Sequence, residues 1–381
     1  MTTNPLFILS VLALNIALSE WLARRTWLRH LGSALLVIVL TAIAANVGLI
    51  PTYSDDVAVY SGVFAYVAPL AIFLLLLQVD LKGIARAGLP MLGMFALGAA
   101  GTVAGVLAGM AVVGGPRAFG ELHYALGGMF TGTYIGGSIN YNAIALHYGV
   151  VKHGLLYAGA AAVDSAMTSV WMAVTVVLPR LLPDRGTADR SPAHRRAVDV
   201  PEVEEEHDTE RVGPLDLALL MAIGGAAVWV SDLLGAWSGV PSILILTTLA
   251  LVLAQLPRIQ RLHGTRLTGW LSVMLFLAVI GALCDLHALG SIGALGRDLL
   301  IFVVVILAVH GAIVFGGGAL LRMDPSLVAV ASQANIGGST SALALARSLG
   351  RGDLVLPGIL AGAVGNAAGT YLGFLVAAGL G

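Results

Sequence analysis

The chain holds one cysteine, Cys284, and little charge, with Asp, Glu, Lys and Arg together making up 11% of 381 residues. A lone cysteine excludes an internal disulfide and any multi-cysteine metal centre. Soluble domains carry about 25% charged residues, so a chain this poor in charge cannot cover a water-facing surface. The formal net charge is −1, and no basic face exists to neutralise phosphates, which excludes nucleic acid as a partner. Enzyme signatures are missing too. There is no G-x-S-x-G elbow, no H-E-x-x-H pair, no Walker sequence and no carboxylate cluster, so no enzymatic activity is expected. The N-terminus lacks the positive charge and the cleavage site of a secretory signal. The apolar run from Leu6 to Leu18 therefore reads as a retained first span.

What the chain has is hydrophobicity. Apolar residues reach 58% and the mean hydropathy is +0.92, which places the chain in a lipid bilayer. A spanning helix needs roughly 20 apolar residues. Twelve candidate stretches follow, at about 5–22, 31–50, 58–79, 88–113, 123–148 and 154–178 in the first half. The second half supplies 214–234, 240–256, 268–283, 297–321, 325–348 and 355–379. The expected fold is an all-α polytopic membrane protein with about 12 spans (11–13). Residues 179–213 form the one long polar stretch, with 15 of the chain's 41 charged residues and Pro183, Pro192 and Pro201, and read as a charged flexible linker.

Two segments are copies of each other. Thr131-Gly-Thr-Tyr-Ile-Gly-Gly-Ser-Ile-Asn140 aligns without a gap on Ser332-Gln-Ala-Asn-Ile-Gly-Gly-Ser-Thr-Ser341, at an offset of 201 residues. Paired glycines inside an apolar span free backbone groups that lipid cannot satisfy. Two matching interruptions, one per half, point to the binding site of a secondary transporter. The expectation is a pair of crossed discontinuous helices, broken at Gly136-Gly137 and Gly337-Gly338, in repeats related by inversion. The positive-inside rule supports inversion, because Arg24, Arg25, Arg29, Lys82, Arg86 and Lys152 alternate in one half and Arg258, Arg261, Arg266 and Arg322 in the other. Six spans per half would instead make the repeats parallel. One crossing between Lys152 and Arg258 is then miscounted, or the linker arginines lie outside.

The candidate substrate- and ion-binding residues are Thr133, Tyr134, Gly136, Gly137, Ser138, Asn140 and Asn142 in the first segment. Gln333, Asn335, Gly337, Gly338, Ser339, Thr340 and Ser341 are their counterparts in the second. All polar members are neutral hydrogen-bonders. Hydroxyl and amide oxygens form the ligand set of a hard cation such as Na⁺, and half-helix N-termini suit an anion. The same residues could instead serve as packing glue between helices. Asp164 is the one carboxylate deep in an apolar span, and Asn366 lies at its repeat position, beside Gly365. Na⁺ is expected at Asn140, Asn335 and Asp164, with no other cofactor. His310, mid-span, is a candidate proton relay or a histidine bonded to the next helix. Gln78, Glu121, His123 and His147 are weaker candidates at span ends.

At these motifs the chain resembles the YjcL-like family, a bacterial and plastid membrane-protein family catalogued as a domain of unknown function. The resemblance spans nearly the whole chain. It rests on Thr131 to Ser138 with Asn140, on Ala331 to Gly338, on Gly369-Thr-Tyr-Leu-Gly373, on Asp80-Leu81 and Asp285-Leu286, and on His310. The family is similar to the cation/proton antiporters and bile-acid-type sodium symporters. That resemblance implies inverted repeats, panel and core domains and elevator-type movement. This chain departs from the pattern at Ser165, where asparagine is common, and at Ser339-Thr340, where Pro-Ala is common.

The expected organisation is a panel of residues 1–80 and 214–285 and a core of 88–178 and 297–381. The expected function is secondary active transport of a small polar or anionic solute, coupled to Na⁺ or H⁺, in a bacterial inner membrane. Expected partners are the solute, the lipid bilayer and a second copy through the panel helices. The competing readings are an uncoupled channel or facilitator and a non-transport membrane scaffold.

Overall fold

The computed structural model describes residues 4–28, 32–52, 57–79, 81, 83–182, 212–284 and 289–381. The linker's residues 183–211, and Asp80, Lys82, Asp285 and Leu286 of the sequence motifs, lie outside them. All twelve apolar stretches are helical. They form α1 (Pro5–Arg25), α2 (Gly32–Asn46), α3 (Ala58–Leu76), α4 (Leu89–Val113), α5 (His123–Gly136), α6 (Ser138–His147) and α7 (Gly154–Leu181). The second half has α8 (Pro214–Ser238), α9 (Ser242–Ala254), α10 (Thr265–Ala282), α11 (Leu289–Leu320), α12 (Pro325–Ile336), α13 (Gly338–Ser348) and α14 (Val355–Leu380). A π-helical turn at Val63–Val67 interrupts α3. Among the described residues eight helices are long and apolar enough to cross a membrane, while α2 and α9 are shorter apolar helices.

The two glycine-centred segments are not crossed rods, which corrects the sequence expectation. α5 and α6 fold back on each other. Tyr124, at the start of α5, stacks edge-on against Tyr148, just past α6, with centroids 5.2 Å apart. Phe130 likewise meets Tyr141 at 6.1 Å. A Cβ at Gly132 would lie 2.8 Å from Ile144 Cδ1, and one at Gly128 would lie 3.3 Å from Ile144 Cγ2. A straight helix would hold Tyr124 and Tyr148 about 36 Å apart at about 1.5 Å per residue. α12 and α13 fold back in the same way, because Arg351 beyond α13 pairs with Asp324, the N-cap of α12. Each segment is a re-entrant hairpin that returns to the side it came from. Arms of 14 and 10 residues reach about 15–21 Å, roughly half the depth of a bilayer core of about 30 Å.

The turns need glycine. Gly137 sits at φ 98° and ψ −179°, a region essentially closed to residues with a Cβ. Gly338 has φ 74°. A Pro-free Ser339-Thr340 therefore does not weaken the second break, because backbone geometry at the glycine makes it.

The hairpins, α4, α7, α11 and α14 pack on one another. A second group contains α1, α2, α3, α8, α9 and α10. Within the first group, glycines let backbones touch. Gly128, Gly132 and Gly136 of α5 face Gly373, Gly369 and Gly365 of α14. A Cβ at Gly373 would fall 2.7 Å from Gly128 O, and one at Gly369 would fall 2.9 Å from Gly132 O. On α4, Gly98, Gly101, Gly105 and Gly109 face α11 in the same manner, with a Cβ at Gly105 landing 2.7 Å from Ile306 O. Lipid gives helices no hydrophobic reason to associate, so small-residue faces and the dispersion contacts they permit hold such bundles together.

Candidate functional site

The hairpin tips meet. A Cβ on Gly338 would lie 3.9 Å from Gly136 O. The tip of the first hairpin rests on α14, where the backbones of Gly136 and Gly365 are in direct contact. Around this point the structure places most of the candidate residues.

Asn140 is buried. Its Oδ1 accepts from Thr370 Oγ1 at 2.6 Å, and its Nδ2 points at Gly365 O at 3.5 Å. Asn142 is also buried and accepts from the Tyr157 hydroxyl. Thr133 is buried, and its carbonyl accepts from Gly137 N at 2.7 Å. Asn366 is half-buried, its Oδ1 3.8 Å from a Cβ position on Gly137. Ser339 donates to Ile359 O at 2.9 Å. Ser341 is half-buried beside Gly337, while Ser138 and Thr340 are exposed at the tips.

Four side-chain atoms are sealed from solvent and lack a hydrogen-bond partner among the described residues: Tyr134 OH, Asp164 Oδ1, Gln333 Nε2 and Asn335 Oδ1. Each belongs to a residue that the sequence singled out. Asn335 is fully buried; its Nδ2 donates to Phe95 O at 3.0 Å and to Ala331 O at 3.1 Å, which fixes the amide and leaves the oxygen bare. Gln333 is held through its Oε1, which lies 3.2 Å from Thr175 Oγ1. The Tyr134 hydroxyl faces Asp164 and Thr168. Buried polar groups are almost always paired, and an orphan costs about 1–3 kcal/mol. Tyr134 and Asp164 face each other, whereas Gln333 Nε2 and Asn335 Oδ1, both on the second hairpin, are left open for a ligand.

Beside the tips a hydrogen-bonded chain ties the two hairpins to the scaffold. His310 of α11 is fully buried. Its Nδ1 lies 2.9 Å from Gly98 O and 3.0 Å from Thr102 Oγ1, and its Nε2 lies 2.9 Å from Ser332 Oγ. Thr102 donates to Tyr134 O at 3.1 Å, and Trp171 Nε1 donates to Ser332 Oγ at 3.0 Å. One direction satisfies every member. Trp171 gives to Ser332, Ser332 gives to a bare Nε2, and Nδ1–H gives to Gly98 O. The set closes with a neutral imidazole, which suits an anchor linking α4, α7, α11 and both hairpins. His310→Leu would leave the Ser332 O–H without its acceptor and remove the side-chain donor to Gly98 O, and is expected to lower stability by about 1–3 kcal/mol. His310→Gln should recover part of that loss. Thermal unfolding in detergent reads both, and a leucine variant as stable as wild type would contradict the anchoring role.

The roots of the hairpins are fastened differently. At the first, Tyr124, Tyr148, His147 and Phe374 stack, and His123 Nε2 lies 3.2 Å from Leu380 O. At the second, Arg351 binds Asp324 and Asp353. The hydrogen bonds that Arg351 donates to Asp353, with Asp324 adding to them, raise its guanidinium above its already high ordinary value. Among the described residues no three His, Cys, Asp or Glu side chains come together as a metal cluster.

Sequence reasoning passed over Thr102, Trp171, Thr175 and Thr370. Thr102 stands alone among the glycines of α4, and a lone hydroxyl on a close-packed face was the available signal. Trp171 and Thr175 carry no such mark.

Comparison with known proteins agrees with the membrane reading. Residues 10–380 match a family described as "Protein of unknown function (DUF819)". The chain is 26% identical over 379 residues to the "Uncharacterized membrane protein YjcL" of Bacillus subtilis (strain 168), covering 95% of this chain and 92% of that protein. With a match over almost its full length, the chain belongs to the DUF819 family of integral membrane proteins.

Proposed function

We propose that the protein is a secondary active transporter of a small polar or anionic solute, coupled to Na⁺ or H⁺, whose site lies where the two hairpin tips meet. What supports this reading is the meeting of the two hairpin tips together with four sealed polar atoms, Gln333 Nε2 and Asn335 Oδ1 in the second hairpin and Tyr134 OH facing the Asp164 carboxyl at the first. Three of them, Tyr134 OH, Asp164 Oδ1 and Asn335 Oδ1, are oxygens, and hard cations take oxygen ligands. Sodium is the preferred coupling ion on that ground. Irregular backbone at mid-depth survives only where it lines a cavity or meets a ligand.

The fold-back also supports inverted repeats. With each glycine-centred segment returning to its own side, every half holds five traverses. An odd number inverts the second half relative to the first. The basic groups Arg24–Arg25, Arg86, Arg180, Arg258–Arg266 and Arg322–Arg351 then share one side, the cytoplasmic one. Lys152 and Arg117 lie opposite. The first hairpin is rooted outside and the second inside, in a bacterial plasma membrane.

The group holding the hairpins would act as the moving core and the other as a fixed panel. Between them one side-chain hydrogen bond joins described residues, Thr248 Oγ1 with Tyr371 OH at 2.7 Å. An interface so poor in directional bonds suits sliding of one group past the other.

A thermal-shift screen of the purified protein against metabolite and salt panels identifies the solute, since a ligand that binds only the folded form raises stability. Uptake of that solute into proteoliposomes should then rise with an inward Na⁺ gradient. Asn140→Ala and Asn335→Ala should each abolish it while leaving expression intact. Uptake that ignores both substitutions would overturn the site, and uptake that ignores every ion gradient would favour an uncoupled facilitator.

A further inference from the structure

The two hairpins differ where their repeat relation would make them alike. Helix α6 is covered, with Asn140, Tyr141, Asn142, Ala143, Ile144 and Ala145 all buried, and it packs against α3 of the second group. Its counterpart α13 packs mainly on α12, α14 and α7 and touches α5 at the tip. Thr340, Ala344, Arg347 and Ser348 stand exposed along one of its faces, while Ala342, Leu345 and Ala346 are buried on the other. The positions 201 residues earlier are Ile139, Ala143, Leu146 and His147. Thr340 and Arg347 thus replace the apolar Ile139 and Leu146 along the free arm, and the equivalent alanines Ala143 and Ala344 are buried in one hairpin and exposed in the other.

A hydroxyl at mid-depth and a guanidinium below it do not face hydrocarbon without penalty. Water at this face would remove that penalty. Arg351 nearby is taken up by Asp324 and Asp353, whereas Arg347 forms no ion pair with any described residue. We infer that the exposed face of α13 lines an aqueous path from the arginine-rich side of the protein to the hairpin tips, and that Arg347 on this path selects for small anionic solutes. This rests on the reading of the tips as a transport site and narrows its solute to an anion. An unpaired cation in a confined, water-filled cleft raises the local concentration of anions, and the free N–H groups at the start of α13 are oriented to receive one.

The chain suits a direct test, because its one cysteine is buried. Thr340→Cys, Ala344→Cys and Ala143→Cys proteins in sealed vesicles of either orientation are exposed to two membrane-impermeant thiol reagents. One is the anionic sulfonatoethyl methanethiosulfonate, and the other is the cationic trimethylammonioethyl methanethiosulfonate. The cysteine at 344 should react only from the arginine-rich side, the cysteine at 340, beside the tip, should react at least from that side, and the cysteine at 143 should react from neither. Adding Arg347→Glu, an exposed change that leaves packing intact, should lower the anionic-to-cationic rate ratio at position 340 by about tenfold. Reaction at 344 from both sides, or none at 340 from the arginine-rich side, would overturn the path. A ratio that Arg347→Glu does not move would overturn the selectivity. The result is independent of sodium, so loss of cation coupling and loss of this path are separate outcomes.

Discussion

Asp164→Asn is expected to erase sodium-dependent stabilisation while raising the stability of the sodium-free protein. The carboxylate lies within α7 on a half-buried residue; its Oδ1 is sealed and the carboxyl faces the Tyr134 hydroxyl. A charge there is penalised by about 2.5–3.5 kcal/mol or more, and no described arginine or lysine offsets it. A bound cation removes the penalty. At a concentration a hundredfold above its dissociation constant, such a ligand stabilises the folded form by about 2.7 kcal/mol. Asparagine keeps the shape and the hydrogen-bonding capacity but carries no charge, so the sodium effect should vanish and the penalty with it. Thermal unfolding in NaCl against equal choline chloride reads both changes. Protection by acid in place of sodium in the wild type would assign the coupling ion as a proton. A variant that still responds to sodium like the wild type would remove Asp164 from the site.

The second large effect is expected at the tip contact. Gly136→Val or Gly365→Val should detach the first hairpin from α14. A Cβ at Gly136 would collide with the Gly365 carbonyl and with Asn140 Nδ2, and one at Gly365 would meet Ile135 O and sit 3.0 Å from Gly136 Cα. The neighbour in each case is backbone, which cannot rotate away. Overpacking costs about 1–3 kcal/mol and sometimes more where nothing yields. Both variants should lose that stability and the sodium response together, because Asn140 is held through α14 by Thr370. Gly293→Val, on α11 where a Cβ would meet nothing within 4 Å, is the control and should behave as wild type. Equal behaviour of all three in thermal unfolding and sodium titration would contradict the backbone contact.

Much of this architecture is legible in the amino acids. Apolar runs locate all twelve helical stretches, and the gapless Ile-Gly-Gly-Ser repeat locates both tips. The orphaned atoms fall on Tyr134, Asp164, Gln333 and Asn335 because hydrophobicity makes any polar residue conspicuous at those depths. Reversal of the chain at Gly137 is not legible. A run of 24 apolar residues reads the same whether it crosses or turns back, and glycine tolerates both geometries. The difference lies in one pair of dihedral angles, together with pairings such as Tyr124 with Tyr148 that span the turn. The conflict between charge bias and an even count of six spans per half was its trace in the sequence, and the miscounted crossing is the 123–148 segment itself, not one between Lys152 and Arg258. The anchoring chain through Thr102, His310, Ser332 and Trp171 escaped for another reason. It joins residues up to 208 apart in sequence, and spacing carries no record of which helices become neighbours.

Labelling of single cysteines by an impermeant reagent, applied to one membrane face at a time, tests the hairpins most directly. Glu121→Cys and Lys152→Cys flank the first segment at exposed positions, and Arg322→Cys and Ser348→Cys flank the second. Two re-entrant hairpins of opposite origin require the first pair to react from one face and the second pair from the other. Cysteines at 121 and 152 that react from opposite faces would mean that the first segment crosses the membrane, and the account of tips meeting at mid-depth would fail.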